Sequence, residues 1–184
     1  VNKHLKGQFM EWAIVGAFGD NLNKSAAILC KSLGLSDEQI EKLENLGIYI
    51  NYNGYGATVD DLHFTPKELY QKLVQFKSPF SFIKNAEADY QKLAAGYHSD
   101  MAAAQSLDAT HTNQRVAVYI LPNETWARRV SGVYSNDLTN QYPLRAHAVL
   151  TLKANGNYLV SIRAPLNNKT GADEFCRQFA TGGG

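Results

Sequence analysis

The chain has 184 residues, 45% of them hydrophobic and 19% charged, with 18 basic against 17 acidic side chains and a formal net charge of +1. That balance excludes a disordered tail, a collagen-like fibre and a strongly basic nucleic-acid arm, because enough apolar surface is present to bury a core. The length suits one large domain or two small ones.

The longest apolar run, Trp12 to Phe18, is far short of the roughly 20 residues a membrane helix needs, and no secretory signal opens the sequence. A soluble, cytoplasmic protein without membrane partners is the expectation. Two cysteines, Cys30 and Cys176, are too far apart for a metal cluster and read as small core-filling residues. A start at Val1 and an end on Gly182-Gly183-Gly184 suggest a piece of a longer polypeptide.

The first half reads as helical. Gly7 to Leu33 is largely apolar and closes its first stretch on Gly19-Asp20. Ser36-Asp37-Glu38-Gln39 is a capping box opening a helix with Ile40, Leu43 and Leu46 on one face. Asn51 to Gly56 has the composition of a loop. Thr65-Pro66-Lys67-Glu68 is a second capping box with proline in the first helical position, followed by Leu69, Leu73 and Phe76. Ser78-Pro79 begins one long predicted helix to about Ala104.

The second half changes rhythm after a polar break near Ser106 to Gln114. Arg115 to Leu121 suits a buried strand, and Pro122-Asn123 leads into a helix carrying Trp126, Val130, Val133 and Leu138. Arg145 to Lys153 and Asn157 to Ala164 alternate with period two around Asn155-Gly156, the signature of a tight hairpin. A last helix runs from about Gly171 to Phe179. The predicted order is strand, helix, strand, strand, helix, a small α/β domain over 106–184 behind a helical region over 1–105.

Charge divides the same way. Residues 1–105 hold ten Lys, no Arg and twelve acids, a net of −2; residues 106–184 hold two Lys, six Arg and five acids, a net of +3. Arginine offers a planar fork suited to phosphate or carboxylate, so the segregation points to an anion-binding C-terminal module, with ordinary surface salt bridges as the plainer explanation. On the hairpin's second strand, Ser161 and Arg163 project from one face, either as a grip on an oxyanion or as a surface pair. The terminal glycines admit close approach of a phosphate to the main chain, although a flexible tail has the same composition. Asp20, at the end of an apolar helix, caps the backbone, pairs with a cation or holds a metal. His4, His63, His98, His111 and His147 show no zinc-site spacing.

Taken together, Gly19-Asp20, the helical linker, Arg128 to Asn136, Leu159-Val-Ser-Ile-Arg163 and Gly182-Gly-Gly184 resemble the DHH/DHHA1 phosphoesterase superfamily. The resemblance implies the closing part of a DHH domain and a helical linker over 1–105, then a DHHA1-like substrate-binding domain over 106–184. It implies a manganese-dependent parent enzyme that hydrolyses phosphodiester or phosphoanhydride bonds of short oligonucleotides, cyclic dinucleotides or polyphosphate. Asp20 matches the position of a metal ligand. Ser161, Arg163, Gly182, Gly183 and Gly184 match the substrate-binding motifs, with Arg128 and Arg129 as further candidates for the same phosphate. The family's earlier aspartate motifs and its Asp-His-His triplet do not occur in this sequence, so the two-Mn²⁺ centre would lie mostly outside the chain and the chain alone would be inactive. Expected partners are a phosphorylated small substrate or a short oligonucleotide, and a homodimer is compatible with the apolar first half. The alternative is a non-catalytic nucleotide or single-strand nucleic-acid binding protein. Near-neutral charge speaks against long nucleic acid held mainly by electrostatics.

Overall fold

A computed structural model describes residues 4–183. The protein is mixed α/β, and the chain divides into two compact units, the first ending at Ser99 and the second beginning at Asp100. Among the described residues, no helix is long and apolar enough to cross a membrane.

The first unit is helical: α1 (Met10–Gly19), α2 (Asn23–Leu33), α3 (Asp37–Tyr52), a 3-10 turn (Val59–Asp61), α4 (Pro66–Leu73), α5 (Pro79–Asn85) and α6 (Glu87–Gln105), which continues past Ser99. The apolar stretch 7–33 forms two helices, the first ending at Gly19-Asp20 as expected. Asn21 adopts φ +57°, a left-handed conformation that asparagine tolerates, and this breaks the helix. The turn lets Ile14, Val15 and Phe18 of α1 and Ala26 and Cys30 of α2 share one core with Leu43 and Leu46 of α3 and Phe82 of α5. Cys30 is buried there as expected, and both cysteines are free thiols.

Both capping boxes form. The Ser36 hydroxyl accepts from the Gln39 N–H while the Gln39 side chain accepts from the Ser36 N–H. Thr65 and Glu68 make the same exchange at the start of α4. Each box satisfies two backbone donors that a helix start would otherwise leave without partners. The expected loop at Asn51 begins two residues later, because α3 carries Tyr52 into the core and turns only at Asn53. The Asn53 side chain bonds both the N–H and the carbonyl of Phe64, holding the connection to α4. The single helix expected from Ser78 to Ala104 is interrupted at Ala86 (φ −119°, ψ 43°). This bend lets Phe82 of α5 and Tyr90 of α6 pack on the same core.

The second unit is built on a four-stranded mixed sheet in the order β1 (His111–Thr112), β2 (Val116–Leu121), β3 (Ala146–Leu152), β4 (Tyr158–Arg163). β2 and β3 are parallel and joined through α7 (Thr125–Gln141); the outer pairs are antiparallel. The short β1 lies inside the stretch the sequence marks as a break. Gly156 takes φ +82° in the β3–β4 hairpin, where a side chain would be strained. The last helix, α8 (Ala172–Cys176), is shorter than its predicted span.

α7 covers one face of the sheet. Tyr119 of β2 meets Tyr134 of α7 edge to face at 5.5 Å between ring centroids, so alternate residues Ala117, Leu121 and Val149 point toward the helix and are fully buried. The hydroxyls of Ser131, Ser135 and Thr139 each donate to a carbonyl one turn back in α7, so these buried polar residues need no partner from the sheet. The opposite sheet face is more open, with Ile120, Tyr158 and Val160 all exposed.

Candidate functional site

Period two along β4 puts Ser161 and Arg163 on the face that α7 covers, and the two side chains meet. Arg163 donates through Nη1 to Ser161 Oγ at 3.0 Å and to the Ile162 carbonyl at 3.2 Å. Its Nε donates to Asn136 Oδ1 of α7 at 3.1 Å. The guanidinium is therefore fixed from two sides, while Nη2 has no acceptor among the described residues. Arg163 is half-buried and forms no ion pair with any described carboxylate. A partly desolvated cation without a counter-charge attracts an anion. Because the Ser161 oxygen accepts from Arg163, its own O–H remains available to donate to the same ligand.

His147 of β3 stands opposite Arg163 in the ladder. It is 1% exposed, and neither ring nitrogen has a hydrogen-bond partner; Thr151 Oγ1, four residues along, is likewise unpartnered. Burial, and then the charge of Arg145, push the imidazole below its ordinary 6.5. The unfolded chain thus binds this proton more tightly than the folded one. Stability is expected to fall as pH drops below about 6.5 and to keep falling until pH passes the folded-state value. Replacing His147 with Leu removes both unsatisfied nitrogens. Urea denaturation between pH 7 and 5 should show a flatter profile for the variant and a gain of about 1 kcal/mol at neutral pH. An unchanged slope would mean that His147 is not the group being titrated.

The other residues singled out by sequence lie elsewhere. Arg129 is engaged by Asp100: Nε to Oδ2 at 2.7 Å and Nη2 to Oδ1 at 3.0 Å, a two-pronged ion pair with side chains only 15% and 5% exposed. Arg128 bonds Asn123 Oδ1 and Thr125 Oγ1 at the start of α7. It is eight residues from Asn136, about 12 Å of helix rise. Gly182 donates its N–H to the Phe179 carbonyl, and a Cβ there would collide with the Cys176 carbonyl. Glycine at 182 is thus required by the turn after α8. Gly183 has open space around it, and Gly184 lies outside the described residues.

Asp20 is exposed at the end of α1, where its N–H bonds the Gly16 carbonyl and the next N–H, of Asn21, bonds the Phe18 carbonyl. The expectation of a buried carboxylate in need of a partner therefore does not hold. Among the described residues, no three His, Cys, Asp or Glu side chains come together as a metal site would require. In the first unit, His98 bonds the Tyr49 hydroxyl and His63 the Tyr52 hydroxyl, at 3.0 and 2.8 Å.

Sequence reasoning missed Asn136 and the Asp100 partner of Arg129. Asn136 closes the Arg128–Asn136 stretch, but no local feature set it apart from Asn140 and Gln141 of the same helix; nothing local linked Asp100 to Arg129, 29 residues away. Comparison with known proteins finds no matching family model, no curated relative and no similar solved structure.

Proposed function

We propose that the second unit binds a phosphoryl group of a short nucleotide-like substrate and serves as the substrate-holding module of a metal-dependent phosphoesterase. The supporting observation is Arg163, half-buried, oriented by Ser161 and Asn136 and lacking a carboxylate partner. Nη2 of Arg163 and the Ser161 O–H would donate to non-bridging phosphate oxygens, and Asn136 would keep the guanidinium plane from rotating. Holding the far phosphate this way fixes the scissile bond in position, which is how a binding module contributes to rate. The resemblance to the DHH/DHHA1 superfamily supplies the reaction class.

The residues present do not fit a two-manganese centre, since Asp20 is a single exposed carboxylate and no ligand group converges on it among the described residues. No catalytic step is assigned to this chain. In this reading the remaining metal ligands belong to polypeptide outside these 184 residues, and the chain alone binds without hydrolysing.

Arg163→Ala should weaken binding of a 5′-mononucleotide or a 5′-phosphorylated dinucleotide by roughly 10- to 100-fold, the worth of a charge-assisted hydrogen-bond pair. Arg163→Lys should recover only part of the loss, because a compact ammonium on a flexible stem lacks the planar fork that reaches Asn136, Ser161 and the ligand from fixed directions. Calorimetric titration measures both, and equal affinity of wild type and Arg163→Ala would overturn the assignment. Manganese-dependent hydrolysis of short oligonucleotides, cyclic dinucleotides or polyphosphate by the protein isolated from its source cells tests the reaction class. Binding without any turnover there would favour the non-catalytic reading.

A further inference from the structure

A cavity that Arg163 does not line lies in the second unit, with a volume of about 380 Å³. Its walls come from the end of α6 and the segment after it (Gln105, Asp108), from Tyr119 of β2, from Tyr134 and Asp137 in the C-terminal half of α7, and from Tyr142 just after that helix. That volume is in the range that holds a small organic ligand. The lining has a distinctive charge: two carboxylates, three phenol rings and side-chain amides, with no lysine, arginine or histidine.

The polar groups are only partly satisfied. Asp137 Oδ2 accepts from Gln105 Nε2 at 3.4 Å and from Gln141 Nε2 at 2.8 Å, which fixes the carboxylate and leaves Oδ1 without a partner. Asp108 has no partner among the described residues. Tyr134 is 3% exposed, lines the cavity and has no hydrogen-bond partner for its hydroxyl. Burial pushes the Tyr134 phenol well above its ordinary value, with Tyr119 and Asp137 adding to the shift, so it remains neutral. The ring is buried while the hydroxyl opens to the cavity, where it is free to pair with whatever enters. The neighbouring Tyr142 already takes a cation on its ring, the Arg145 guanidinium at 4.7 Å from the centroid.

We propose that this cavity binds a small organic ammonium compound, its charged nitrogen held by Asp137 and Asp108 and its carbon chain lying against Tyr119, Tyr134 and Tyr142. Two carboxylates in a lining that contains no cation disfavour phosphate and carboxylate ligands and favour a cation, and the phenol rings favour one that carries apolar surface. Tyr134 accepts a hydrogen bond from the ammonium group. The site does not depend on the phosphate-binding reading, since its charge has the opposite sign and it shares no residue with Ser161, Arg163 or Asn136.

Spermidine serves as the probe, with 1,6-hexanediol as an uncharged control of similar shape, in calorimetric titration of the 184-residue chain. One saturable spermidine site per chain and no hexanediol binding are expected. Asp137→Asn should weaken spermidine about tenfold, and Tyr134→Phe several-fold. Because Asp137 also anchors Gln105 and Gln141, Asp108→Asn is the second variant, with an intact circular dichroism spectrum as its folding control. Absence of saturable spermidine binding, equal binding of hexanediol, or wild-type affinity in both aspartate variants would each overturn the proposal.

Discussion

Arg129→Ala is expected to destabilise the protein by about 3–5 kcal/mol, the usual cost of removing one partner from a buried ion pair. Asp100 keeps its charge at a position where its side chain is 5% exposed, and both of its oxygens lose a guanidinium donor. The attraction within the pair is not what sets this number. The cost of keeping a desolvated carboxylate charged after its guanidinium is removed dominates, and so Arg129→Met combined with Asp100→Leu should recover much of the loss. Urea denaturation of the two single variants and the double variant closes the cycle. The folded fraction of Arg129→Ala should bind nucleotide like wild type, because both prongs of the arginine fork face Asp100. Stability within 1 kcal/mol of wild type together with lost nucleotide binding would return Arg129 to the phosphate site.

Gly47→Ala is expected to cost about 3 kcal/mol, at the upper end of what overpacking does in a core. A Cβ on Gly47 of α3 would run into the Val15 carbonyl of α1, with the Gly19 nitrogen at 2.9 Å and Phe18 Cβ at 3.2 Å. The first two obstacles are backbone, so no rotamer change relieves them and the two helices must separate. Their separation would open the core around Ile14, Leu43 and Leu46. Gly16→Ala is the contrasting substitution: its Cβ meets nothing within 4 Å on the exposed side of α1. There the helix propensity of alanine should dominate and raise stability by up to about 1 kcal/mol. Thermal melts of the two variants should therefore move in opposite directions, and a common direction would contradict the close crossing of α1 and α3.

Local chemistry carried most of the fold. The Ser36 and Thr65 boxes, proline at the start of α4 and Asn155-Gly156 in the hairpin each act through residues within a few positions, and each forms as read. What could not be read depended on partners distant in the chain. The bend at Ala86 exists because α5 and α6 must both reach one core, and no residue at 86 announces it. Tyr52 stays helical inside a loop-like composition because its ring is wholly buried and its hydroxyl meets His63.

The site shows the same division. Period two sufficed to bring Ser161 and Arg163 to one face, and the structure joins them. Asn136 comes to Arg163 only through the β2–α7–β3 crossover, a relation no linear pattern expresses. Asp20 is exposed although apolar sequence runs up to it, because such a helix buries its face and not its end; the core stops at Phe18 and Gly19. Arginine segregation into the second half likewise mixes roles, with Arg129 paired to Asp100, Arg177 to Asp173, Arg145 stacked on Tyr142 and Arg163 held by Ser161 and Asn136.

The most direct test of Arg163 as an anion grip is a nuclear magnetic resonance titration of the chain with a 5′-mononucleotide, following the Arg163 Nε–H signal and the backbone amides of β4. A saturable shift of the Arg163 and Ser161 signals, with Asn136 responding and Arg129 unmoved, is the result the structure predicts. Saturable shifts that leave Arg163 and Ser161 in place, or no shift anywhere, would contradict it.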